Sequence, residues 1–233
     1  MRLSREEAAE RIGRAQKSGN GVPAYLRWVN RPLGRRFAVL AASFGWTANH
    51  VTALSALFGV AAVLALCAWR SPLAGPVAAL LLLIGYILDS ADGQLARIRG
   101  EGGPAGEWLD HVVDGVRAPA VHIAVAVHLW REGRPEWLIG SALVFSVVVS
   151  AWFLSQLLAE KLSTGRGPAA ANGGLVDSLI KQPQDVSTTY VVIACLPFAA
   201  LFALLYPLLL LWHVVMFAAS LSRKHRQLAR GAR

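Results

Sequence analysis

The chain has 233 residues, 55% of them hydrophobic and only 16% charged. Mean hydropathy is positive, and several apolar stretches approach or exceed the ~20 residues that cross a bilayer. The net charge of +9 raises nucleic acid as a partner. The placement of Lys and Arg excludes it: they gather at the N-terminal region, one internal motif loop, the 160–186 loop and the C-terminal tail, as on the cytoplasmic side of a membrane protein.

The expectation is an all-α polytopic membrane protein with a single catalytic domain. Six transmembrane helices span residues 47–221. An N-terminal arm and interfacial amphipathic helix (1–46) precede them and a basic cytoplasmic tail (222–233) follows. Residues 3–17 are polar and charged, so they read as a surface helix or loose arm and not as the apolar core of a secretory signal. Asn20, Gly21 and Pro23 break that segment. From Tyr25 to Trp46, Trp28, Val29, Leu33, Phe37 and Leu40 alternate with Arg27, Arg31, Arg35 and Arg36. That pattern predicts a helix lying in the membrane interface. Thr47 reads as the N-cap of the first span.

The spans are expected at roughly 49–69, 75–96, 105–130 and 137–160. The apolar stretch 187–221 is too long for one span, and Tyr206-Pro207 offers a break into helices five and six. Ser141, Ser146, Ser150 and Ser155 suit close helix packing. Cys67 and Cys195 lie in different apolar stretches and read as small core hydrophobes. His122 and His128 read as packing or interfacial residues. The loop 161–186 is long enough to be functional, with Lys181 and Asp185 as residues able to close over a substrate.

The densest chemistry lies between helices two and three. Asp89-Ser-Ala-Asp92-Gly93-Gln-Leu-Ala96-Arg97 ends one helix; Gly106-Glu-Trp-Leu-Asp110-His-Val-Val-Asp114 opens the next. Spacings of three and four put the carboxylates on common helix faces. The Gly-rich turn between them brings the two helix ends side by side. Converging carboxylates need a cation or raised pKa values, and oxygen-only donors suit Mg²⁺ or Mn²⁺. Two such ions stabilise the attacking and leaving oxygens of a phosphoryl displacement. Gly93 and Ala96 keep the face shallow, and Arg97 offers a donor fork for phosphate.

This run resembles the CDP-alcohol phosphotransferase family of membrane enzymes, whose motif D-x-x-D-G-x-x-A-R, about eight residues, G-x-x-x-D-x-x-x-D is matched at Asp89, Asp92, Gly93, Ala96, Arg97, Gly106, Asp110 and Asp114. The resemblance implies transfer of a phosphoalcohol group from a CDP-alcohol to a second alcohol, with release of CMP. It implies that Asp89, Asp92 and Asp110 bind two divalent metals, that Asp114 is both metal ligand and general base, and that Gly93, Ala96 and Arg97 contact the cytidine diphosphate. Thr47-Ala-Asn49-His-Val-Thr52 is similar to the family's T-P-N-x-x-T element, with Ala48 in place of proline. Asn49 there faces either the nucleotide or the helix start. A homodimer is implied as well.

Arg117 lies one turn beyond Asp114. A membrane-embedded arginine needs a partner: either a motif carboxylate or an anionic acceptor. With Lys181 it is the candidate acceptor-binding residue. His111 adjoins Asp110 as a supporting residue. Glu107 and His111 flank Asp110 as in choline and ethanolamine phosphotransferases, which take a CDP-polar alcohol and a lipid acceptor. The size and charge of the chain favour CDP-diacylglycerol as donor and a polar alcohol or its phosphate as acceptor. A cation transporter is disfavoured, because the carboxylates sit at one face of two adjacent helices rather than mid-membrane on several.

Charge sets the topology. Arg70, Arg131 and Arg134 fall on the outer side and Arg117 lies within a helix. The remaining 19 of the 23 Lys and Arg share the inner side with both termini. The site and both termini are therefore expected at the cytoplasmic face of the cell membrane.

Overall fold

A computed structural model describes residues 3–14, 21–100, 102–163 and 174–231. Among them every regular element is helical. Helix α1 is Arg5–Arg14. A π-helical turn, Leu26–Asn30, runs into α2, Arg31–Ser43. Then follow α3 (Ala48–Ala68), α4 (Ala74–Arg99), α5 (Pro104–Arg131), α6 (Glu136–Leu162), α7 (Leu175–Ile180), α8 (Val186–Ala194) and α9 (Ala199–Gly231). Helices α3, α4, α5, α6 and α9 are long and apolar enough to cross a membrane. The Gly/Ala-rich part of the 161–186 loop lies outside the described residues.

The four central spans fall within a few residues of expectation. Thr47 caps α3 as expected: its hydroxyl accepts from His50 N, and His50 Nδ1 accepts in turn from Thr47 N. Gly100 closes α4 in the left-handed conformation (φ 65°), the backbone geometry glycine adopts at no steric cost.

The break in the last apolar stretch corrects the sequence reading. It falls at Cys195–Phe198 around Pro197, and Pro207 sits inside α9. Neighbouring helices make an internal proline tolerable in a spanning helix; Tyr206 beside it is fully buried and bonded to His122. The hydroxyls of three α6 serines are satisfied within their own helix. Ser141, Ser146 and Ser150 donate to carbonyls of their own helix rather than across to a neighbour.

Two cores hold the fold. One joins α3, α4, α5, α6, α8 and α9 through residues such as Leu66, Leu82, Val125, Phe145, Ile193 and Phe202. The second packs Ala8 and Ile12 of α1 and Ala38, Ala41 and Ala42 of α2 onto Leu88, Leu95 and Ile98 of α4. The N-terminal arm is thus a cap on the C-terminal half of α4. The small face of α2 (Gly34, Ala38, Ala41, Ala42) seats on the protein, while Trp28, Leu33, Leu40 and Phe44 are exposed on its other side. An interfacial helix fits that arrangement, with one face in lipid and one on the bundle.

The turns α3–α4, α5–α6 and α8–α9 meet at one end of the bundle, where Arg70, Ser71, Glu132, Arg134 and Pro197 line a common cavity. The motif carboxylates lie toward the other end, on the C-terminal half of α4 and the N-terminal half of α5.

Candidate active site

Helices α4 and α5 both pack on α3, and this brings the motif together. One carboxylate oxygen each of Asp89, Asp110 and Asp114 lies within 4.8 Å of the others. All donors are hard oxygens, a set that fits Mg²⁺ or Mn²⁺ and disfavours softer metals. Asp92 stands outside that trio. It is buried, with Oδ2 accepting from Thr52 Oγ1 at 2.6 Å and Oδ1 from Gly93 N. These bonds fix its orientation and leave lone pairs for a cation.

Arg117 binds two of the trio, Asp89 and Asp114. Its Nη2 donates to Asp89 Oδ1 at 2.7 Å and to Asp114 Oδ1, and its Nη1 donates to Ser55 Oγ at 2.8 Å. Ser55 Oγ in turn donates a hydrogen bond to the Gly85 carbonyl at 2.8 Å. Glycine makes the route possible: a Cβ at Gly59 would lie 3.3 Å from Arg117 Cδ, and one at Gly85 would lie 3.3 Å from the Ser55 carbonyl. Of the two readings of Arg117, the geometry gives the ion pair with motif carboxylates. Lys181 is likewise engaged, with Asp177 Oδ2 at 2.8 Å and the Gly21 carbonyl at 3.0 Å. It pins α7 to the N-terminal cap and is not part of the trio. Asp185 is buried too; it caps α8 through Ser187 N and accepts from Tyr86 Oη at 3.0 Å.

Among the expected nucleotide-side residues, Gly93 lies beside Arg97 and Asn49 beside Gly106. A Cβ at Gly93 would meet Arg97 Nη1 at 3.5 Å, and one at Gly106 would meet Asn49 Oδ1 at 3.7 Å. Asn49 is exposed, and it sits where the start of α3 meets the start of α5. His111 pairs with Glu107 (3.7 Å) and packs edge-on against Phe153. Glu107 also pairs with Lys161 of α6. His122 and His128 are packing residues, as expected: His122 stacks on Phe145 and His128 Nδ1 reaches the Leu66 carbonyl.

A cavity of about 280 Å³ opens beside Asp89, Asp114 and Arg117 and runs between α5, α6, α8 and α9. Its walls are mostly apolar, with Gln156, Gln184, Thr189 and Tyr190 supplying polar atoms. Sequence reasoning missed four residues here: Thr52, Ser55, Tyr86 and Tyr190. A signal existed for Thr52, which ends the T-x-N-x-x-T element, and for Ser55, one turn further along the same face. Tyr86 and Tyr190 are aromatic residues in apolar runs and carry no local signature.

The fold and site define a helical membrane protein with hard-donor carboxylates shared by two adjacent helices at the foot of a small cavity. The chain belongs to the CDP-alcohol phosphatidyltransferase family, which it matches over residues 46–221. Over 149 residues it is 32% identical to the bifunctional IPC transferase and DIPP synthase of Aquifex aeolicus (strain VF5). That similarity covers 62% of this chain and 32% of the relative, so the chain spans about a third of the relative's length.

Proposed function

We propose that this chain transfers a phosphatidyl group from CDP-diacylglycerol to the hydroxyl of a small uncharged alcohol and releases CMP. The observation that carries this reading is the cavity beside Asp114. About 280 Å³ is at the low end of small-molecule pockets, which suits a small alcohol and is too little for a diacyl lipid. The lipid is therefore the donor, with its chains in the bilayer. Among the described residues lining the cavity, the one arginine or lysine is Arg117, whose charge is matched by Asp89 and Asp114. An acceptor phosphate would find no unmatched cation there, which favours a neutral alcohol over its phosphate.

Asp89, Asp92, Asp110 and Asp114 would hold two divalent cations, Mg²⁺ or Mn²⁺. When bound, such ions neutralise charge on the diphosphate during displacement. Asp114 faces the cavity and takes the acceptor hydroxyl proton. The acceptor oxygen bonds to the phosphorus that carries the diacylglycerol, the bond to the bridging oxygen breaks, and CMP leaves. Gly93, Ala96, Arg97 and Asn49 contact the cytidine diphosphate. The site and both termini face the cytoplasm in this reading, and the chain works as a homodimer.

A second reading has a specific observation behind it. The Glu107–His111 pair beside Asp110 matches the choline and ethanolamine phosphotransferase pattern, in which the lipid is the acceptor. A headgroup screen separates the two. Purified protein with Mg²⁺ and CDP-diacylglycerol should release CMP only when the right uncharged alcohol is added. CMP release from CDP-choline or CDP-ethanolamine with diacylglycerol, and none from CDP-diacylglycerol, would establish the second reading instead.

A further inference from the structure

Two cavities at the end of the bundle away from the carboxylates adjoin one another. The first, about 170 Å³, lies among the three far turns and is lined by Arg70, Ser71, His128, Glu132, Arg134 and Pro197. The second, about 260 Å³, shares Arg134 and Leu196 with it and runs between α6 and α9 past Leu138, Ala199 and Phe202. The first is mostly polar and the second almost wholly apolar.

The charges in the first cavity do not cancel. Neither Arg70 nor Arg134 forms an ion pair among the described residues. Two guanidinium groups against one carboxylate leave a net positive cavity. Trp69, Trp130 and Trp137 surround this end and are exposed by 44%, 71% and 58%. Tryptophan at helix ends marks the headgroup level of a bilayer. Arg70 and Arg134 also belong to the three basic residues on the side where basic residues are otherwise scarce. Unpaired arginines there call for an anion, and planar guanidinium groups suit phosphate oxygens.

We propose that this end of the bundle binds one anionic phospholipid of the leaflet opposite the carboxylates. Its phosphate sits between Arg70 and Arg134, and one acyl chain lies in the groove between α6 and α9. A headgroup held among all three turns clamps the α8–α9 turn, and with it the helix that carries Thr189 and Tyr190 into the catalytic cavity. The site is separate from the transfer reaction and stands whatever the substrates are.

The test uses the full chain in neutral detergent, probed with phosphatidylglycerol, phosphatidylcholine and inorganic phosphate in parallel. Thermal unfolding is followed by tryptophan fluorescence, and retained lipid by native mass spectrometry. Phosphatidylglycerol at saturation should raise Tm by roughly 5 °C and leave one lipid adduct, with little shift from phosphatidylcholine. Arg70→Gln/Arg134→Gln should abolish both effects. Arg131→Gln removes a charge at the same end outside the cavity and should keep them. An equal shift from inorganic phosphate or phosphatidylcholine, or an unchanged shift in the double variant, overturns the proposal. A double variant that does not fold is replaced by the single Arg70→Gln, whose side chain is exposed, and a full shift there overturns it as well.

Discussion

Arg117 Nη2 lies 2.7 Å from Asp89 Oδ1 and also donates to Asp114, so one guanidinium ties α5 to α4 at the level of the carboxylates. The pair is largely shielded, with side-chain exposures of 11% and 18%. Removing one partner of such a pair typically costs about 3–5 kcal/mol, because the other charge is left buried. Arg117→Ala should lower Tm by roughly 10 °C and reduce kcat through misplaced carboxylates. Arg117→Lys should recover part of both. A rise in acceptor KM alone, with kcat and Tm intact, would show that Arg117 serves an anionic acceptor.

Thr52 donates to Asp92 at 2.6 Å, and a partner that orients a ligand carboxylate tunes metal affinity. Losing such a contact typically weakens binding about 10–100-fold. Thr52→Val should therefore shift the Mg²⁺ concentration for half-maximal CMP release upward by at least about tenfold. An unchanged Mg²⁺ titration would remove Asp92 from the metal site.

Asp92→Asn and Asp114→Asn should both abolish or sharply lower CMP release while leaving a folded protein, and excess chelator should do the same to the wild type. Full turnover in chelator, measured against a Mg²⁺-replete control, contradicts the divalent-cation reading.

Gly75 faces α8 at close range: a Cβ there would lie 2.7 Å from the Ile193 carbonyl and 2.8 Å from Leu196 Cβ. Overpacking of this kind typically costs about 1–3 kcal/mol. Gly75→Ala should lower Tm by several degrees, whereas Gly140→Ala, with open space around it, should be neutral or slightly stabilising. Equal melting of the two variants would mean that α8 does not seat on α4.

Fusions at the C-terminus should report the cytoplasmic side, and a tag inserted at Gly133, in the α5–α6 turn, the opposite side. Exchanged signals would reverse the charge-based topology, and both on one side would contradict it.

The central site was legible in the sequence because its residues are close in sequence. Asp89 to Asp114 lie on two helices joined by one Gly-rich turn, so helical spacing alone nearly places them. The contacts that were not legible are long-range. Thr52 meets Asp92 and Ser55 meets Arg117 only once α3 packs on α4 and α5, which Gly59 and Gly85 permit. The end of the chain was misread for a different reason. Hydropathy is uniform from 187 to 221, so the break had to be guessed from proline, and Pro197 and Pro207 look alike without their surroundings. Only the packing of Ile193 and Leu196 on Gly75 chooses between them.

The brevity of α8 has a consequence for depth. Its nine residues extend only about 13.5 Å, less than half of a ~30 Å hydrocarbon layer. Its ends match Gly75 and Tyr86 on α4, about 16 Å apart along that helix. The rest of this wall is built from a short helix and a tight turn that carries Gln182, Gln184 and Asp185. Irregular polar backbone at that depth is stable only where it borders protein or water. Under the proposed function, this polar stretch is where a nucleotide reaches the carboxylates through water rather than through lipid.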